Sequence, residues 1–141
     1  MRKTDVTEYV ITSDKFNEEF EGYKFALLTD LHANGYGIDL HYVNKIIKEQ
    51  KPDAILIAGD MFNKCDDRNI TDTSNFLCAL ANHYPVFYSL GNHEYKMSLS
   101  EENGKQYRIY EKTLKKAGYT VDGCYNGEEA QLHLLGAQYD A

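Results

Sequence analysis

Long apolar runs, basic clusters and paired cysteines are what this 141-residue sequence lacks. Its longest apolar run, residues 54–58, is far too short for a membrane helix, which takes about 20 residues. The opening residues, Met1 to Val6, do not lead into the apolar core of a signal peptide. The three cysteines, Cys65, Cys78 and Cys124, are odd in number and form no Cys-x-x-Cys pair. They read as reduced thiols in a cytosol-like compartment, not as a disulfide framework, so a cytoplasmic location is expected. Lys and Arg number 15 against 22 Asp and Glu, with no dense basic cluster. Nucleic acid is therefore not an expected partner, because phosphate contacts need a basic face. A chain of formal net charge −7 can still process phosphate if its carboxylates hold a divalent metal that attracts the phosphate in turn.

What is present alternates between short apolar runs and helix-like stretches. The runs at 24–29, 54–58 and 85–90 read as buried strands, the first nearly apolar throughout, as a strand covered on both faces should be. Residues 38–50, 72–82 and 103–117 read as helices. Their apolar residues recur at helical spacing: Val43, Ile46 and Ile47, then Phe76, Leu77 and Leu80, then Tyr107, Tyr110 and Leu114. Lys51-Pro52 ends the first helix, since proline disfavours helix in the residue before it. Residues 9–11 read as an edge strand, and 119–121 and 131–135 as further strands. The alternation predicts an α/β fold, one domain over 1–141, with a mostly parallel sheet and crossover helices.

Each of the three core strands ends in residues that ligate metals. Asp30-Leu31-His32 follows the first, Gly59-Asp60 the second and Gly91-Asn92-His93-Glu94 the third. Parallel α/β sheets bind ligands at the carboxyl ends of their strands, so the topology gathers these residues despite their sequence separation. Taken singly, Asp-x-His is an ordinary capped turn and Gly-Asp an ordinary turn signal. The Asn-His-Glu stretch, in a loop, has no evident packing role. Three such endings in this order favour a metal site over a structural reading of each. The residue types suit two divalent metals about 3.5–4 Å apart. Asp30 and His32 would hold one ion, Asp60 would bridge, and Asn92 would offer a neutral amide oxygen to the other. Manganese, iron and zinc all accept such ligands.

Thr29-Asp30-Leu31-His32, Ala58-Gly59-Asp60 and Leu90-Gly91-Asn92-His93-Glu94 resemble the first three motifs of the calcineurin-like metallophosphoesterases. Bacterial members described as phosphohydrolases are most similar, sharing Ala33-Asn34, Gly37 and Lys51-Pro52-Asp53. The resemblance runs from about Thr7 to Asp140 and implies half of an αββα sandwich. It implies a phosphate-ester substrate, the metal roles given above, and His93 as the residue that contacts phosphate and protonates the leaving group. Glu94 would orient its neighbours. Related proteins often carry a membrane helix ahead of such a segment.

The family's later motifs, an isolated histidine and then Gly-His-x-His, have no counterpart among His41, His83 and His133, which read as structural or exposed. Cys65 reads as a surface thiol, and Asp66 and Asp67 as a solvated loop. The second ion would keep only Asp60 and Asn92, whereas a catalytic ion normally has about three protein ligands. The expectation is a phosphoric ester hydrolase represented by its N-terminal half, with self-association through an exposed sheet edge. The rival expectation is a catalytically incomplete remnant that binds one metal weakly or acts through protein contacts.

Overall fold

The computed structural model describes residues 5–32, 39–62 and 67–119. Three parallel strands, β1 (Phe25–Leu28), β2 (Ala54–Ile57) and β3 (Val86–Tyr88), form a sheet in the order β1-β2-β3. Leu28 pairs with Ile57, and Ile57 with Tyr88, so the three carboxyl ends lie level along one edge. Helix α1 (Leu40–Gln50) crosses from β1 to β2 and α2 (Asp67–Ala81) from β2 to β3. Helices α3 (Asn92–Leu99) and α4 (Gly104–Lys116) follow. This is the expected α/β architecture.

Ile55 and Ile57 form one core with Val43 and Ile47 of α1, Phe76, Leu77 and Leu80 of α2, Met97 of α3, and Tyr110 and Leu114 of α4. Ala26, Leu28, Val86 and Tyr88 pack against it from the flanking strands. The helices therefore cover one face of the sheet. On the opposite face Phe25, Leu27 and Phe87 stand 50%, 66% and 57% exposed. The expectation that the first strand is covered on both faces is corrected here: β1 alternates exposed and half-buried residues, because the described helices α1 to α4 lie on one side.

Two further boundaries differ from expectation. Residues 9–11 form no strand; Tyr9, Val10 and Ile11 are exposed, and the only element ahead of β1 among the described residues is a short 3-10 helix, Glu18–Phe20. Helix α2 begins at Asp67, five residues earlier than periodicity predicts. Asp67 sits in its first turn, where a carboxylate favours the positive end of the helix dipole, and Ile70 and Thr73 turn inward. Of the strands expected over 119–121 and 131–135, only Tyr119 lies within the described residues; its hydroxyl donates to the Leu77 carbonyl at 2.9 Å. Among the described residues no helix is long and apolar enough to cross a membrane.

Candidate active site

The three segments that follow the strands are bonded to one another through their backbones. The Asp30 N–H donates to the Gly59 carbonyl at 3.2 Å, and the His32 N–H to the Asp60 carbonyl at 3.1 Å. Between the second and third segments the contact is closer. A side chain on Gly59 would overlap the backbone of Gly91, and one on Gly91 would overlap the Asp60 backbone and carboxylate. Glycine at both positions is what allows the approach.

Gly91 is the N-cap of α3 and has no side chain with which to cap it. Asp60 does so from the neighbouring segment: its Oδ1 accepts the His93 N–H at 2.9 Å. This is the bond an N-cap side chain ordinarily makes to the second or third helical residue. It also sets the Asp60 carboxylate at the positive end of the α3 dipole. Glu94, wholly buried, holds the same junction from below. Its Oε2 accepts the Asp60 and Gly91 N–H groups, each at 3.0 Å, and its Oε1 the Met61 N–H at 2.8 Å. The Asn-His-Glu stretch, expected in a loop without a packing role, is the first turn of a helix. Glu94 is its inward anchor. The cue available in sequence was the acidic residue at the third helical position, the second half of a capping box.

Asp30, His32 and Asp60 all adopt left-handed backbone, with φ of 52°, 43° and 54°. Left-handed backbone costs a residue with a Cβ roughly 1–2 kcal/mol. Such conformations persist where the surroundings over-determine them, and they gather at functional sites. The interstrand bonds above supply that determination. The Thr29 hydroxyl adds a further bond, donating to Asp30 Oδ2 at 2.6 Å.

His32 Nε2 lies 3.6 Å from Asp30 Oδ1. Two donors at this spacing can each reach a common ion at about 2.0–2.2 Å. The His32 ring meets the His93 ring edge-on, with centroids 5.1 Å apart. Asp30, His32, Asp60 and His93 are thus joined by contact, and Asn92 opens α3 in an exposed position beside His93. Among the described residues no group of three or more His, Cys, Asp or Glu is spaced to hold a metal ion. The oxygen and imidazole donors fit a divalent cation in kind, and the Asp30–His32 pair fits one in distance. His41 and His83 are exposed and lie elsewhere; His133, Cys65 and Asp66 lie outside the described residues.

Beneath the site is a layer of tyrosine. The Tyr88 and Tyr110 hydroxyls share a hydrogen bond at 2.8 Å. Burial pushes both well above the usual phenol range, and the nearby Glu94 carboxylate adds to the effect. The two phenols are therefore neutral at ordinary pH.

Comparison with known proteins agrees with this geometry. The family model for calcineurin-like phosphoesterases matches residues 23–134. An uncharacterised metallophosphoesterase of Campylobacter jejuni is 34% identical over 84 residues, 55% of this chain and 21% of that protein. The phosphodiesterase YaeI of Escherichia coli is 33% identical over 109 residues, 75% of this chain and 38% of that protein. The UDP-2,3-diacylglucosamine pyrophosphatase LpxG of Chlamydia muridarum is 25% identical over 115 residues, 79% of this chain and 35% of that protein. The chain thus spans well under half the length of these relatives, and no solved structure matches it significantly. With strand endings that carry Asp30, His32, Asp60 and Asn92 inside a family match over most of its length, the chain belongs to the calcineurin-like phosphoesterases.

Proposed function

We propose that this chain carries the first part of a two-metal site that hydrolyses phosphate esters. The observation that supports it is the convergence of Asp30, His32, Asp60 and His93 at level ends of three parallel strands, tied by interstrand hydrogen bonds. Asp30 and His32 would hold one ion, Asp60 would bridge, and Asn92 would serve the second. Ions bound there supply an acidified water and charge neutralisation at the phosphoryl oxygens. His93, on the first turn of α3 beside Asp60, is the proton donor to the departing oxygen. Its backbone bond to Asp60 holds the ring's anchor point fixed relative to the bridging carboxylate. The relatives include a phosphodiesterase and a pyrophosphatase of a nucleotide sugar lipid, so the substrate class here is a phosphodiester or related phosphoric ester.

A second reading has its own support. No three-residue His, Cys, Asp or Glu group closes around an ion among the described residues. This favours a chain that by itself holds one divalent ion weakly, on the Asp30–His32 pair, or acts only through protein contacts.

The test is metal analysis of the chain after dialysis, then turnover of chromogenic phosphate mono- and diesters, with added manganese, by the chain joined to the second half of a closely similar protein. Asp60→Asn should abolish turnover, because an amide cannot bridge two cations as a carboxylate does. His93→Ala should lower it by about two to four orders of magnitude with metal content retained, since a positioned general acid contributes about that much. The loss should shrink for esters with acidic leaving groups, which need little protonation. Loss of metal from His93→Ala, with no dependence on leaving group, would show His93 to be a ligand and overturn its role as acid. One ion per chain without turnover would select the second reading.

A further inference from the structure

Glu94 is fully buried, and among the described residues no basic side chain forms an ion pair with it. A buried carboxylate without compensation costs several kcal/mol. Its compensation is three backbone N–H groups from two separate segments, Asp60 and Met61 after β2 and Gly91 after β3. These donors are not spare ones from its own helix alone. Two of the three belong to the segment that carries the bridging carboxylate, 33 and 34 residues away.

The bonding is specific in its chemistry. Oε2 is shared between Asp60 and Gly91, and Oε1 receives Met61. Every lone pair used faces a donor. A glutamine of the same shape would turn an NH2 group toward at least one N–H, and either orientation breaks the junction. Filling the space is therefore not sufficient; two acceptor oxygens are required.

We infer that Glu94 is the positioning residue of this site. It bolts the Asp60 segment to the start of α3 and so fixes the separation of Asp60 from Asn92 and His93. This rests on the proposed reading of Asp60 and Asn92 as metal ligands. Glu94 does not touch the ions; it sets where their ligands stand.

The experiment compares manganese affinity, read from the loss of the free Mn(II) resonance signal, for the 141-residue wild type, Glu94→Gln and Asp60→Asn. It is run at a temperature where each metal-free variant retains its helical circular dichroism. Glu94→Gln is expected to weaken affinity about ten- to a hundredfold, as loss of a partner that orients metal ligands does. Affinity within twofold of wild type, alongside a clear loss in Asp60→Asn, overturns the inference. Hydrogen exchange on the metal-free wild type covers the case in which Glu94→Gln fails to fold. The Asp60, Met61 and Gly91 amides should exchange far more slowly than the exposed amides of residues 5–12. Exchange at the rate of those amides overturns the inference without any variant. If the wild type binds no manganese, the metal reading fails, and the exchange rates still decide whether the bolt exists.

Discussion

At Gly91 the volume that a methyl group would take is filled by the carboxylate of Asp60. The same oxygen that such a methyl would displace caps α3 through the His93 N–H. Gly91→Ala should therefore act twice, by crowding and by loss of the cap. Crowding a packed site costs about 1–3 kcal/mol, and losing a cap about 1 kcal/mol. The expected result is a fall of about 2 kcal/mol or more in urea-melt stability together with loss of manganese binding. A variant within 0.5 kcal/mol of wild type, the range of neutral surface changes, would show that the two segments are not as close as described. A different outcome is expected at Lys51, which caps the end of α1 in left-handed backbone with φ of 49°. Among the described residues no hydrogen bond or ion pair of its side chain holds it there, and glycine adopts that conformation freely. Lys51→Gly should raise stability by roughly 1 kcal/mol, measurable as a shift of the denaturation midpoint. A decrease would mean that the lysine makes a contact worth more than its backbone strain. The residue identities at the site were legible in sequence, because Asp, His and Asn after strands have a chemical reading. Their left-handed backbones were not, since nothing in an aspartate's side chain announces φ.

Elements with a strong apolar period were legible and those without one were not. Helices α1 and α4 lie within two residues of expectation because Val43 and Ile47, and Tyr110 and Leu114, repeat at helical spacing and are buried. Helix α3 was missed. Only Glu94 and Met97 of its eight residues are buried, so it carries no apolar stripe, and it forms because Asp60 caps its first turn from outside and Glu94 accepts the Gly91 N–H from within. Residues 9–11 show the converse error: β-branched and aromatic side chains satisfied strand propensity, but no neighbouring strand pairs with them among the described residues. Packing of α4 on β3 and α2 also sets a pH limit. Burial raises the Tyr88, Tyr110 and Tyr119 hydroxyls above the ordinary phenol value of 10.0. A raised folded value means that the unfolded chain loses its protons first. The stability these groups contribute is complete below pH 10 and falls as pH rises toward the folded values. Each can contribute a slope of up to about 1.4 kcal/mol per pH unit. Urea melts at pH 8, 10 and 11 should show a steep loss only above 10, reduced in Tyr88→Phe. A flat profile would mean that the hydroxyls ionise freely in the folded state.

At the scale of the molecule, the described residues cover the sheet on one side only. Phe25 and Leu27 of β1 and Phe87 of β3 lie on the open side, with Leu27 and Phe87 in register through Leu56 of β2. Side chains at matched positions of parallel strands point the same way, so they form one contiguous apolar surface. Soluble monomers seldom leave a surface of that kind open; it is ordinarily the place where another layer packs. Among the described residues strands β1 and β3 are also the edges of the sheet, and an edge strand can template further pairing. The isolated 141-residue chain is therefore expected to self-associate, with a sedimentation coefficient that rises with concentration. Leu27→Thr combined with Phe87→Thr keeps residues that suit strands while removing most of the apolar surface. That variant should sediment closer to a monomer with unchanged far-ultraviolet circular dichroism, because neither residue contributes to the core beneath the helices. The site lies at the strand ends, so manganese affinity should also be unchanged. Association that persists in the double variant would place the contact on the sheet edge and not on its open face. A monodisperse wild-type monomer with a cooperative melt above about 65 °C, the upper end for ordinary domains, would contradict the open face altogether. It would require that the residues outside the described segments cover Phe25, Leu27 and Phe87.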